Sequence, residues 1–175
     1  MWRTCGSPNV DPNQFASGTV DKLLNATSLR YQTESLLTVN GQQICYGTIN
    51  GEKADKNTYH AWGNILGSKV DVYQIGTTTY QLDEITGQWL VVPDNEAGKE
   101  AMLISEIDPA SNFHFSDLGE AKLLDEEKIN GQKCYKINLK PTLSDEWIEK
   151  YFTNINYVLW INNKGYLVKS VITGK

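Results

Sequence analysis

The sequence predicts an α+β fold in which a few helices cover one face of a long curved antiparallel sheet. Three observations carry this reading. Asn-Gly and related turn pairs recur along the chain, at "VNGQ" 39–42, "INGE" 49–52, "INGQ" 129–132 and "NKGY" 163–166. Such pairs tolerate the positive φ values that tight hairpins need. The segments between them either alternate apolar and polar residues or are dense in β-branched and aromatic ones. Helical patterns are confined to three short stretches that interrupt the run of strands.

Residues 1–10 read as a flexible leader. Gly6, Ser7, Pro8 and Asn9 bury nothing, and Cys5 sits among them as if tethered. A single domain is expected over 11–175. It opens on a helix, with Asp11 at the N-cap and Pro12 at the first helical position. Phe15, Val20, Leu23 and Leu24 supply an apolar stripe, which Gly18 weakens. Strands follow near 29–39, 43–49, 57–66, 69–75, 78–82 and 88–92, joined by the turns above and by the longer "EITGQ" turn at 84–88. Successive hairpins make an antiparallel meander. In "KVDVYQI", Val70 and Val72 share one face and Tyr73 and Ile75 the other.

"NEAGKEAMLISEI" is a second helix candidate, with Ala101, Leu103 and Ile104 toward its buried side. Strands near 121–128 and 132–139 come next. In "CYKINL", Tyr135, Ile137 and Leu139 oppose Cys134, Lys136 and Asn138, so one face is wet. The third helix is "LSDEWIEKYF". Ser144 caps it, Asp145 and Glu146 sit where the dipole favours acids, and Leu143, Trp147, Ile148, Tyr151 and Phe152 form its apolar side. Strands near 156–162 and 166–172 complete the chain. "YVLWI" is apolar on both faces and calls for cover on both.

Length and charge exclude several classes of function. A chain of 175 residues buries roughly 70% of its unfolded surface, enough for a core without metal or disulfide support. The net charge of −5 leaves no basic footprint for nucleic acid. The lysines are scattered and make no polybasic grip on an anionic membrane. No apolar run approaches the roughly 20 residues of a spanning helix. The N-terminus lacks the apolar core of a signal peptide, which fits a cytosolic protein or one whose targeting segment has been removed. Of three cysteines, Cys45 and Cys134 fall in strands and Cys5 outside the fold. Cys45 and Cys134 either form a disulfide or remain small buried thiols.

A search for catalytic residues converges on nothing. The two histidines, His60 and His114, lack metal-ligand partners at helical or hairpin spacing, so no metal site and no cofactor is expected. His114, between aromatic residues in "NFHF", reads as a packed or partly exposed side chain. No nucleophile elbow and no phosphate-binding loop occurs. "DEE" at 125–127 reads as a solvated strand face, and "NAT" at 25–27 as a glycosylation sequon of chance type. The tryptophans have two readings. Trp62, Trp89, Trp147 and Trp160 fill a core, or they wall an apolar gap between sheet and helices that suits an acyl chain.

The stretch "YHAWGNILGSKVDVYQIGTTTYQLDEITGQWLVVPD" resembles the LolA-like superfamily of bacterial lipoproteins, especially its LppX/LprG branch. The matching residues are Gly63, Val70, Asp71, Val72, Gly76, Tyr80 and Trp89. "NYVLWINNKGYLVKSVI" is similar to a later strand pair of that family, and the resemblance spans roughly 29–172. It implies an unclosed β-barrel, or half-barrel, wrapping helices around an apolar cavity for lipid acyl chains, without enzyme activity. It also implies that "CGSPN" is the start of an exported lipoprotein whose Cys5 carries diacylglycerol, giving a membrane anchor. Trp2, Arg3 and Thr4 depart from the apolar-then-small residues that should precede such a cysteine.

The resulting expectation is a non-enzymatic bacterial cell-envelope lipoprotein, at the outer face of the cytoplasmic membrane or in the periplasm. It binds a lipid or other apolar ligand near Trp62, Trp89, Met102, Leu103 and Trp147. The alternative is an envelope protein-interaction module whose half-barrel is filled by its own side chains. An enzyme using an unrecognised acidic pair is the remote third reading.

Overall fold

The computed structural model describes residues 10–55, 57–93, 108–144 and 153–175. The chain divides into two compact units, Ala26–Asn112 and the combination of Met1–Asn25 with Phe113–Lys175.

The first unit is a six-stranded antiparallel meander. Its strands are β1 (Leu29–Val39), β2 (Gln42–Asp55), β3 (Thr58–Ile65), β4 (Ser68–Ile75), β5 (Thr78–Leu82) and β6 (Trp89–Val92), paired in sequence order. The turns behave as their chemistry dictates. Asn40 and Gly41 carry φ of 51° and 79°, and Leu66 and Gly67 carry 51° and 84°, the paired left-handed values of a two-residue hairpin. A Pro109–Phe113 3-10 turn follows the sheet.

One predicted turn is absent. "INGE" at 49–52 lies inside β2, which runs unbroken past it, and Asn50 pairs with Gln32 on one side and Trp62 on the other. Gly51 serves close approach instead of chain reversal. The Tyr31 ring lies across it, and a Cβ at Gly51 would land inside that ring. The chain reverses later, where Asp55 Oδ1 accepts from the Asn57 N–H at 2.8 Å, an Asx turn.

The second unit begins with α1 (Pro12–Leu24). Asp11 caps it, accepting from the Asn13 and Gln14 N–H groups at 3.0 and 3.4 Å. Gly18 meets nothing within 4 Å and points into open space, so its cost is confined to helix propensity. The strands are β7 (Phe115–Asp117), β8 (Lys122–Ile129), β9 (Gln132–Leu139), β10 (Thr142–Leu143), β11 (Asn156–Asn162) and β12 (Leu167–Thr173). The main sheet has the order β12-β11-β9-β8, and β7 pairs with β10. Ile137, Leu139, Leu159 and Ile161 are fully buried on one face, where Ala16 and Val20 of α1 join them. Phe113, Phe115 and Tyr157 close this core, Tyr157 meeting both rings edge on and the two phenylalanines lying tilted to each other, with centroids 5.2–6.0 Å apart.

The opposite face of β11 is apolar in sequence, and it is covered by charged side chains. Trp160 is buried there beneath Lys136 and Lys169, whose ammonium groups sit 5.1 and 4.8 Å from its ring. The lysine stems shed water from the indole while the charges stay solvated. Glu127 ties the group together, accepting from Trp160 Nε1 and Lys136 Nζ at 2.8 Å each. These two bonds, with Lys136 first, hold its carboxyl below the usual carboxylate range.

Among the described residues neither sheet closes into a barrel, and α1 is the one α-helix. The architecture is α+β on open antiparallel sheets. The helix expected around 95–107, and most of the one expected from Leu143 onward, lie outside the described residues. Among those residues no helix is long and apolar enough to cross a membrane.

Candidate functional site

The six-stranded sheet presents two chemically distinct faces. Strand register assigns residues to each, because directly paired residues of an antiparallel ladder share a face. Ile49, Ala61 and Ile65 form a buried cluster, with Tyr31 and Val70 packed against it. Val72, paired with Ala61, and Leu90, in line with Val72 through Gln81, continue this core face toward β6. At the other end it runs out along Leu37, paired with Ile44. The polar residue buried within it is satisfied locally: Gln74 donates to the Gly76 carbonyl at 2.8 Å and accepts from Thr79 Oγ1 at 2.6 Å. Thr33 Oγ1, on β1 in register with Ile49, is buried without a hydrogen-bond partner.

Two tyrosines edge the core face. Burial, and then the Asp108 carboxylate, push the phenols of Tyr31 and Tyr59 above the ordinary tyrosine range, so both remain neutral donors at any physiological pH. An open pocket of about 760 Å³ lies at this end of the sheet. Leu29, Tyr59, Tyr73 and Ile75 give it apolar surface, and Arg30, Glu52, Lys53 and His60 give it charge or polarity. Arg30 Nε donates to Glu52 Oε2 at 3.2 Å across the β1–β2 ladder.

The opposite face carries an aromatic stack that the sequence reading did not assemble. His60 lies between Trp62 and Tyr73, with ring centroids at 4.4 and 3.7 Å and interplanar angles of 26° and 7°. Trp89 meets Tyr73 edge on at 5.6 Å. His60 Nε2 is 2.8 Å from Asp71 Oδ1. The signal was available in the Leu66-Gly67 turn, which sets His60 against Tyr73 and Trp62 against Asp71. With both ring faces covered and one nitrogen held by a carboxylate, this imidazole is a packing element. Among the described residues no group of three His, Cys, Asp or Glu side chains is placed to hold a metal ion.

The anticipated cavity residues divide as follows. Trp62 and Trp89 come together through His60 and Tyr73, on the face opposite the buried cluster, and both are exposed. They reach the pocket only through His60 and Tyr73, which line it. Met102, Leu103, Trp147 and the anchor candidate Cys5 lie outside the described residues. Cys45 and Cys134 carry free thiols. Cys134 is buried, 3.6 Å from the Gln132 carbonyl, whereas Cys45 is exposed.

No protein-family model matches this sequence, and no curated protein sequence matches it either. Solved structures do match. LprF from Mycobacterium bovis superposes with a TM-score of 0.61 at 13% identity, over 97% of this chain and 90% of that one. The Mycobacterium tuberculosis lipoprotein LppX gives a TM-score of 0.54 at 15% identity, over 93% of this chain and 88% of that one. Such identities speak to backbone architecture alone. The chain has the fold of LprF and LppX.

Proposed function

We propose that this protein is a non-enzymatic cell-envelope lipoprotein that binds a lipid or other apolar ligand against the core face of its six-stranded sheet. The observation that carries the reading is the apolar character of that face from Ile44 through Ile49, Ala61 and Val72 to Leu90. At both ends it is open, with Ile44 and Leu90 exposed. Apolar area that is continuous with a buried cluster yet uncovered at its ends suits an acyl chain, which needs contact surface and few hydrogen bonds. Tyr31 and Tyr59, held neutral, and Lys53, which is paired with Tyr59 on the same face, suit the polar end of such a ligand. The likeness in fold to a lipoprotein, LppX, supports an envelope location, with Cys5 as the acylated anchor. Met102 and Leu103 stay in the proposal as further apolar lining.

Native mass spectrometry of protein purified from its own host, followed by organic extraction, tests this. The expected result is a co-purifying lipid and a diacylglyceryl mass on Cys5. A polypeptide mass with nothing extractable would overturn both parts and favour an interaction module with a filled core.

A further inference from the structure

The β1–β2 hairpin extends beyond the sheet that carries it. The β2–β3 ladder ends at the Gly47–Ile65 pair, whereas the β1–β2 ladder continues out to Val39 and Gln42. A register shift after Ser35 leaves Tyr46 as an extra residue at the point of departure. Residues 36–45 therefore form a two-stranded ribbon with no third strand on either side among the described residues.

This ribbon exposes large apolar side chains on both of its faces. Leu37, Val39 and Ile44 share one face, and Leu36 lies opposite Cys45 on the other, which also carries the polar Thr38–Gln43 pair. Leu36, Leu37, Val39 and Ile44 are 47%, 54%, 42% and 51% exposed. Leu66 of the neighbouring turn is 80% exposed and is held beside the ribbon by its N–H, which donates to the Tyr46 carbonyl at 2.6 Å. No Asp, Glu, Lys or Arg occurs between Glu34 and Glu52, in a chain of which 21% is charged.

We infer that the 36–45 ribbon inserts into the surface of an uncharged or zwitterionic lipid bilayer. Three features select this occupant. A flat protein partner covers one face of a ribbon, whereas here both faces expose large apolar side chains, which calls for a medium that surrounds them. The absence of charged side chains removes the largest desolvation cost of entering the bilayer surface, while the amides of Asn40, Gln42 and Gln43 and the open ribbon edges hold it at headgroup depth. The net charge of −5 opposes attraction to anionic lipid, so the driving force is apolar burial alone. Tip residues Asn40, Gly41 and Gln42 bring only neutral amide groups.

The test uses the full chain carrying Cys5→Ser, which removes any acyl anchor, and phosphatidylcholine vesicles. The protein is expected to float with the vesicles, to a degree insensitive to added salt. Leu37→Ser with Ile44→Ser is expected to lower partition more than about tenfold, since each removes half-exposed apolar area. An environment-sensitive dye on Cys45 is expected to shift to shorter wavelength on vesicles. The double variant should melt at the parental temperature. Should the double variant fail to fold, Leu36→Ser on the other face takes its place. Absence of flotation, equal flotation of the variants, or loss of binding with salt would overturn the inference. Leu37 and Ile44 also lie on the proposed ligand face, so Leu36→Ser, on the opposite face, keeps the two readings apart: it is expected to lower flotation while leaving extractable lipid unchanged, and flotation unaffected by Leu36→Ser would overturn the inference.

Discussion

Gly51→Ala is the substitution that most directly separates the architecture from its sequence-level alternative. Within β2 the added methyl would occupy the position of the Tyr31 ring, so the ring must swing out. An aromatic side chain buries roughly 150–250 Å². Displacing about half of that at about 25 cal/mol per Å² costs about 2–3 kcal/mol. Replacing glycine by alanine in an extended segment returns about 0.5–1 kcal/mol of backbone entropy. The net expectation is a loss of about 1–2 kcal/mol. In a Tyr31→Ala background the same substitution meets no ring and should be neutral or slightly stabilising. Urea denaturation of the four proteins, followed by circular dichroism, measures the coupling. A turn glycine with positive φ would lose the same amount in both backgrounds. Equal losses would therefore refute the assignment of Gly51 as a packing glycine inside a continuous strand.

Two further outcomes follow from the core and from the buried phenols. Leu159→Ala, at a fully buried position on a central strand of the second sheet, should cost about 2–5 kcal/mol in the same urea assay; a loss below about 1 kcal/mol would mean that the site collapses or was never close-packed. Alkaline stability should decline early. Burial pushes Tyr157 up to about 12 and raises Tyr31 and Tyr59 in the same direction, so the unfolded chain releases these protons first. Stability is then full below about pH 10 and falls as pH rises toward 12. Denaturation midpoints across that range check the decline, and Tyr157→Phe should flatten it.

The strand register and the turns were largely legible from local chemistry. Asn40-Gly41, Asn130-Gly131 and Gly165 adopt the positive φ their turns require, and Asp11 and Pro12 start α1 where capping rules place them. These are decisions within a few residues of chain, and sequence holds all their terms. Asn50-Gly51 shows where that ends. The dipeptide is the same, yet a ring from another strand makes the glycine a contact surface, and nothing within four residues announces it.

The division of faces was the other decision left to tertiary structure. Alternation in "KVDVYQI" separated Val70 and Val72 from Tyr73 and Ile75 without saying which pair meets the core. Packing settled it: Ile49, Ala61 and Ile65 take the valine side, and His60, Trp62 and Trp89 stack on Tyr73 on the other. Aromatic content suggested a cavity wall at Trp62 and Trp89, since composition cannot distinguish a ring that faces a gap from one that stacks on a neighbour. The sequence by itself determined most of the hairpins between successive strands and the helix cap, because turn geometry is local, whereas the β11–β9 and β10–β7 pairings join strands that no single turn connects. Which face is buried, which glycine yields to a ring and which tryptophans meet depend on contacts between strands far apart in the chain, and only the folded sheet supplies them.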